Sequence, residues 1–249
     1  MKEYYVLGVK VSGVSLQECL ELVSSSIKKN KKIQVCTTNN EFIVEAQHND
    51  RFKNIINKSA ISTADSTGVV WAIQKLHNAK IDRLPGIDLF LEICKEAPQK
   101  GYRIFLLGGE KNIALKAKKN LQRRFQGIHI VGSIDGIIIN PSKRDDQLIS
   151  TINRSRSDIV AVALGAPKQE LWIKKNIDLI QSKVFLGLGG SLDYIAGTVP
   201  RAPLSMRNNG LEWLFRLFIQ PQRIGRILKA TLTFPYLVTI EKFKKGAKG

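Results

Sequence analysis

Six short apolar runs recur along the chain, each closed by small or polar residues and followed by a stretch with helical spacing. They are IQVCT (33–37), AISTAD (60–65), YRIFLLGG (102–109), IHIVGSI (128–134), DIVAVALG (158–165) and KVFLGLGG (183–190). Several are continuously apolar rather than alternating, which is the pattern of parallel strands covered on both faces. Between them lie helices: near Asn39, where Thr38 and Glu41 have capping-box spacing, and over 68–77, 87–97, 112–125, 141–152 and 166–180. Ahead of the first run, residues 4–15 read as a strand or hairpin edge. Leu16, Cys19, Leu20, Val23 and Ile27 then fall at helical spacing. Strands alternating with helices over 33–190 predict an α/β core with a mostly parallel sheet and helices on both faces. From about Met206 the pattern changes to helix without strands, interrupted at Pro221 and Pro235. This divides the chain into a core, 1–205, and a small C-terminal helical appendage, 206–249.

Two strand ends stand out. The first closes on Thr37, Thr38, Asn39 and Asn40, and the second on Asp65, Ser66 and Thr67. In open α/β sheets ligands bind at the carboxyl ends of strands, so these two polar knots are expected to face one crevice. Apart from Glu41 at a helix start, Asp65 is their only carboxylate, and it is read as a reacting or ligand-orienting group.

Composition narrows the partners. The formal net charge is +18, which calls for an anionic partner: phosphate-bearing substrates, an anionic lipid surface or nucleic acid. From Arg201 onward ten Lys or Arg stand against two Asp or Glu, a net of +8 in 49 residues that are also rich in large apolar side chains. Arg216, Arg223 and Arg226 lie beside Trp213, Phe215 and Phe218. That combination suits a membrane interface, or alternatively a docking helix with solvated arginines. No nucleic-acid-binding motif accompanies the charge, so a basic nucleic-acid binder is the weaker class. Three cysteines (Cys19, Cys36, Cys94) in apolar contexts, without C-x-x-C spacing, read as core residues in a reducing compartment. The N-terminus lacks the apolar core of a signal peptide, and no run approaches eighteen apolar residues.

Three glycine-bearing strand ends carry further chemistry. FLLGGEKN is neither a P-loop nor a dinucleotide fingerprint; it reads as a phosphate contact at a helix start or as a tight β–α turn. ALGAPKQELW places Pro167 at a helix start, with Lys168 available to phosphate and Gln169 to a sugar hydroxyl or amide, or both solvated. GLGGSLDY offers Gly187, Gly189 and Gly190 for close backbone approach and Asp193 for a ribose or sugar hydroxyl, or as a turn cap. Arg83, in the loop before Pro85-Gly86, could clamp a diphosphate bidentately, or is simply a solvated loop arginine. The chain has no D-x-D, its three histidines are scattered, and no G-x-S-x-G elbow occurs. No metal and no cofactor are expected.

Taken in order, TTNNE, TADSTGVVWA, RLPGIDL, FLLGG, VALGAPKQELWI, GLGGSLDYIAGTVPRAP and GLEWLFRLFIQPQRIGR resemble the TagA/WecG/CpsF family of bacterial glycosyltransferases over about residues 33–226. The resemblance implies a Rossmann-like α/β fold. It implies inverting, metal-independent transfer of N-acetylmannosamine from a UDP donor to undecaprenyl-diphosphate-linked N-acetylglucosamine, an early step of wall teichoic acid synthesis. UDP-N-acetylmannosaminuronic acid and UDP-glucose are the alternative donors. It implies that Asp65 is the catalytic base, that Thr37, Asn39, Arg83 and Gln169 form the polar pocket, and that the appendage, with Arg216, Arg223 and Arg226, holds the enzyme on the membrane and closes over the site. The implied location is cytoplasmic, peripheral on the inner face of the cell membrane, with the oligomeric state left open. Two stretches depart from the family pattern. Ala64-Asp65-Ser66 stands where P-D-G is usual, and Asn39-Asn40-Glu41 where N-A-E is frequent.

Overall fold

The computed structural model describes residues 1–136, 144–219 and 224–246. A hairpin, β1 (Lys2–Val6) and β2 (Val9–Gly13), leads into α1 (Leu16–Lys28), which opens on a full capping box between Ser15 and Glu18. Then follow β3 (Ile33–Thr38), α2 (Asn40–Glu45), α3 (Asp50–Lys58), β4 (Ile61–Ala64), α4 (Thr67–His77) and α5 (Gly86–Lys100). The chain continues through β5 (Arg103–Gly108), α6 (Ile113–Arg124), β6 (His129–Ile134), α7 (Asp146–Arg154), β7 (Ile159–Ala163), α8 (Lys168–Asn176) and β8 (Val184–Gly187). It closes with α9 (Ser191–Ala196), α10 (Leu204–Asn208), α11 (Glu212–Ile219) and α12 (Ile224–Gly246).

The six apolar runs are the six strands of one sheet, ordered β4-β3-β8-β7-β5-β6 with every pair parallel. β3, β4, β7 and β8 are buried along their whole length, and strands buried on both faces have no polar face to alternate with. On one face Val35, Leu186, Ala161 and Leu106 pack with α1, α5, α6 and α9. On the other, Phe105, Val160 and Phe185 pack with α7 and α8, and Cys36 and Ala64 pack with the hairpin, α2, α3 and α4. The expected fold class, a parallel α/β sheet with helices on both faces and helix at the C-terminus, is the one observed.

Local expectations differ in four places. The cap of α2 is Asn39, whose Oδ1 accepts the Phe42 N–H at 3.1 Å, rather than Thr38. Thr38 is fully buried with its hydroxyl 2.6 Å from Ser62 Oγ, so it belongs to the strand pair. The α3 helix, with Phe52, Ile55 and Ile56 buried, is an element the strand-and-helix reading passed over. Of the helix expected over 141–152, α7 covers the part from Asp146, and 141–143 lie outside the described residues. Pro235 does not break the last helix: α12 runs through it. A proline there removes one backbone hydrogen bond, but Phe234 and Val238 on either side are fully buried against the hairpin, α2 and α4. Burying one such side chain contributes about 1.5–3 kcal/mol, enough to hold the helix together across the gap. Glu241 Oε2 adds a tether by accepting the Leu7 N–H at 2.8 Å. Pro221 lies outside the described residues.

Candidate active site

β3 and β4 lie side by side, Thr37 opposite Thr63 and Thr38 opposite Ala64, so their carboxyl ends emerge together. The Asp65 N–H donates to the Thr38 carbonyl at 2.9 Å, which ties the second polar knot to the first. Asp65 Oδ1 accepts the Gly86 N–H at 2.7 Å, at the first residue of α5. The contact orients the carboxylate at the N-terminus of α5. Gly86 is needed here, because a Cβ would lie 2.6 Å from Thr37 Cγ2. Leu84 N–H donates to the Ala64 carbonyl at 2.9 Å, so the Arg83 loop is pinned to the same strand end. Ser66 caps α4 and donates to Asn40 Oδ1 at 2.8 Å. Ser66 and Asn40, two of the departures from the family pattern, therefore form one hydrogen-bonded pair beside Asp65.

These groups open on a cavity of about 880 Å³ at the carboxyl ends of the strands. Of the residues singled out in the sequence, Thr37, Asn39, Asp65, Gln169, Gly189, Gly190 and Asp193 line it. Arg83 lines an adjoining cavity of about 100 Å³, together with Asn40, Ser66, Trp213, Ala230 and Thr231. Asp65 lines both, with Asn39, Glu41 and Glu212. Asp65 thus stands at the junction of a large cavity and a small one.

The α8–β8 corner is built differently from its sequence reading. Gln169 is 1% exposed and spans the corner: its Oε1 accepts the Gly189 N–H at 2.9 Å, and its Nε2 donates to Glu170 Oε1 at 2.7 Å. Gly187 leaves room for this pair, since a Cβ would lie 2.6 Å from Gln169 Nε2 and 2.7 Å from Glu170 Oε1. The absent side chain at Gly187 makes space for protein rather than for ligand. Gly187 also accepts from Thr37 Oγ1 at 3.0 Å through its carbonyl. Gly189 takes φ +53°, in the left-handed region that glycine adopts without strain. Glu170 was not singled out in the sequence. The signal was its place on the buried face of α8 with Ile173 and Asn176, where a carboxylate interrupts an apolar spacing. Burial lifts its carboxyl from the ordinary 4.5 to about 8, against the opposing pull of the Gln169 hydrogen bond.

The FLLGGEKN turn is also corrected in part. The backbone N–H groups of Asn112 and Ala114 at the start of α6 already donate to Asp135, at 2.7 and 3.2 Å. A protein carboxylate occupies the place proposed for phosphate. Gly109, Lys111 and Lys116 nevertheless line the large cavity, as does Lys168. Glu41, Glu110, Asp193 and Glu212 line the same cavity. No His/Cys/Asp/Glu group suited to a metal ion occurs among the described residues. One wall is fixed by a bidentate pair in which Arg201 donates to Asp88 of α5 at 2.6 and 2.8 Å, setting the strap that carries Thr198 and Val199.

The C-terminal segment reaches this site. Glu212 and Trp213 of α11, with Ala230 and Thr231 of α12, wall the small cavity. The resemblance implied an appendage that closes over the site, but no local pattern pointed to these four residues, because the contact joins elements more than 100 residues apart. While Ala230, Phe234 and Val238 face inward, Leu204, Phe218, Leu232, Tyr236 and Phe243 stand out into solvent. Among the described residues no helix is long and apolar enough to cross a membrane. Arg223, and the side chains of Arg216 and Arg226, lie outside the described residues.

A polar cleft at the carboxyl ends of an open parallel sheet, with lysines, amides and a helix-anchored carboxylate on its walls, is the architecture of an α/β group-transfer enzyme. The chain belongs to the Glycosyl transferase WecG/TagA/CpsF family, whose model matches residues 4–248, and it is a glycosyltransferase. Two similar proteins come from Staphylococcus aureus strains MRSA252 and NCTC 8325 / PS 47. Each is named N-acetylglucosaminyldiphosphoundecaprenol N-acetyl-beta-D-mannosaminyltransferase, and each is 32% identical over 98% of this chain and 95% of its own length.

Proposed function

We propose that the enzyme transfers N-acetylmannosamine from UDP-N-acetylmannosamine to N-acetylglucosamine-diphosphoundecaprenol, forming a β-1,4 linkage with inversion and without a metal, as an early step toward a surface polymer such as wall teichoic acid. The observation that carries this reading is the position of Asp65, anchored by the Gly86 N–H at the junction of the two cavities. The large cavity takes the nucleotide-sugar and the small one the acceptor sugar, so their reacting atoms meet at Asp65. The acceptor hydroxyl attacks the anomeric carbon opposite the phosphate, the carbon–phosphate-oxygen bond breaks, and the hydroxyl proton passes to Asp65. Charge developing on the departing UDP is met by Lys111, Lys116 and Lys168, the cations on the large cavity's wall. Thr37, Asn39, Gln169, Gly190 and Asp193 shape the donor side, and Arg83 meets the acceptor.

The lipid acceptor sets the location, cytoplasmic and peripheral on the inner face of the cell membrane. The outward apolar residues of 204–243 would enter the interface while a net charge of +8 from Arg201 onward meets anionic lipid. Arg216, Arg223 and Arg226 would hold headgroups or the acceptor diphosphate.

The test is turnover of the purified protein with UDP-N-acetylmannosamine and a short-chain lipid-diphosphate acceptor, in EDTA, for wild type and Asp65→Asn. The wild type is expected to form the disaccharide under chelation, and Asp65→Asn to fold and lose about 10²–10⁴-fold in kcat. Near-normal kcat in Asp65→Asn removes the base assignment, and activity restored only by Mg²⁺ or Mn²⁺ removes the metal-free mechanism.

A further inference from the structure

We propose that Glu170 is a positioning residue for the donor side of the cleft: it locks the Gln169 amide in the one orientation that fixes the Gly189 turn, and through that turn sets how tightly a nucleoside diphosphate is held. The inference rests on the proposed function only in naming that ligand.

The geometry supplies the lock. The Gly189 N–H can only donate, so Gln169 must present Oε1 to it, as it does at 2.9 Å. A rotated amide would set donor against donor. Glu170 Oε1, accepting from Gln169 Nε2 at 2.7 Å, excludes that rotation. Gly187 completes the fit, because any side chain there would strike both residues. The anchored turn then lines the large cavity through Gly189, Gly190 and Ser191.

The arrangement is unfavourable for stability, which argues that it serves something else. Glu170 is 0% exposed, and its second oxygen, Oε2, has no hydrogen-bond partner. A buried polar atom without a partner costs about 1–3 kcal/mol, and an apolar side chain of similar length would avoid that cost. Glu170 does not line the cavity, so it does not touch the reacting atoms. Burial keeps it protonated to about pH 8, so it accepts from Gln169 as a neutral acid and introduces no buried ion.

The experiment compares Glu170→Met, which keeps the length and removes the acceptor, with Glu170→Gln, which keeps an acceptor. Three quantities are read: hydrogen exchange of the Gly189 amide in ¹⁵N-labelled protein, UDP affinity by calorimetry, and donor KM against kcat. Glu170→Met is expected to speed Gly189 exchange and weaken UDP binding and donor KM on the order of tenfold, the loss of about one oriented hydrogen bond, with acceptor KM unchanged. Glu170→Gln is expected to restore all three. A purely structural role predicts a changed melting temperature with these readouts unmoved, and that result overturns the proposal. So does a folded Glu170→Gln that fails to restore them. If the wild type neither binds UDP nor turns over the donor, the proposed function fails, while Gly189 exchange still decides whether Glu170 fixes the turn.

Discussion

The Glu170 carboxyl gives the chain a pH dependence of folding that can be worked out in advance. Its ordinary value is 4.5, and burial raises it to about 8 in the folded protein. The folded state therefore keeps a proton that the unfolded chain releases over that window. Stability is fully present below about pH 4.5, falls as pH rises, and levels off above about pH 8. Each pH unit is worth 1.36 kcal/mol, so the wild type should lose about 3–4 kcal/mol between pH 5 and pH 8 from this group alone. Against a typical total of about 5–15 kcal/mol, that loss is easily measured. Cys19, Cys36 and Cys94, whose ordinary value is 9.0, are all pushed upward by burial, so their contributions begin above the window and do not confuse it.

Glu170→Gln isolates the effect. The amide keeps an acceptor for Gln169 Nε2 and cannot ionise, and any cost of its own buried NH₂ is a constant offset. Urea unfolding followed by tryptophan fluorescence, at fixed ionic strength from pH 5 to 8.5, gives the free energy of each protein. The difference between them should move in favour of the variant by about 3–4 kcal/mol across the range, with a slope near 1.4 kcal/mol per pH unit between pH 5.5 and 7.5. A difference that stays constant with pH would mean that the carboxyl is ionised in the fold, and the reasoning from burial would be refuted.

Two further outcomes concern the C-terminal segment. Phe234→Ala should destabilise the protein by about 3–5 kcal/mol, the usual cost of emptying a fully buried phenylalanine site, and should expose α12 to limited proteolysis before the core unfolds; a variant with wild-type urea midpoint and cleavage pattern would show that α12 is not held by that side chain. Arg→Glu changes at 216, 223 and 226 should lower kcat/KM on a soluble short-chain acceptor as well as on one embedded in liposomes, because a diphosphate contact in a closed site is screened less than headgroup attraction at about 1 kcal/mol per charge; loss confined to the embedded acceptor would make these residues membrane anchors only.

What the sequence made legible, and what it did not, divides along the range of the interactions involved. The six strands could be read because burial on both faces of a parallel sheet leaves continuous apolar runs. The convergence of the Thr37 and Asp65 knots could be read because parallel neighbours bring their carboxyl ends to one side, and Asp65 indeed lies against the Thr38 carbonyl. Glycine was the ambiguous signal. Gly187 and Gly189 read alike as places where a ligand comes close. At Gly187 the close neighbour is the Gln169–Glu170 pair, Gly189 has open space and a left-handed φ, and Gly86, read only as part of a loop, lies against Thr37. A missing Cβ records close approach without recording by what, so strand-end glycines need their packing before they become ligand contacts. The same ambiguity explains Glu170. Its interruption of the buried face of α8 was visible, but whether a buried carboxylate is exposed after all, paired, or held neutral depends on Gln169 beside it and on the strand beneath it. The small cavity was the least legible part, since Trp213, Ala230 and Thr231 meet Asn40, Ser66 and Arg83 only because Phe234 and Val238 dock α12 on the hairpin, α2 and α4. The place of Asp65 at a converging strand end could therefore be read from local pattern, whereas the second wall it faces is a product of tertiary packing at a distance.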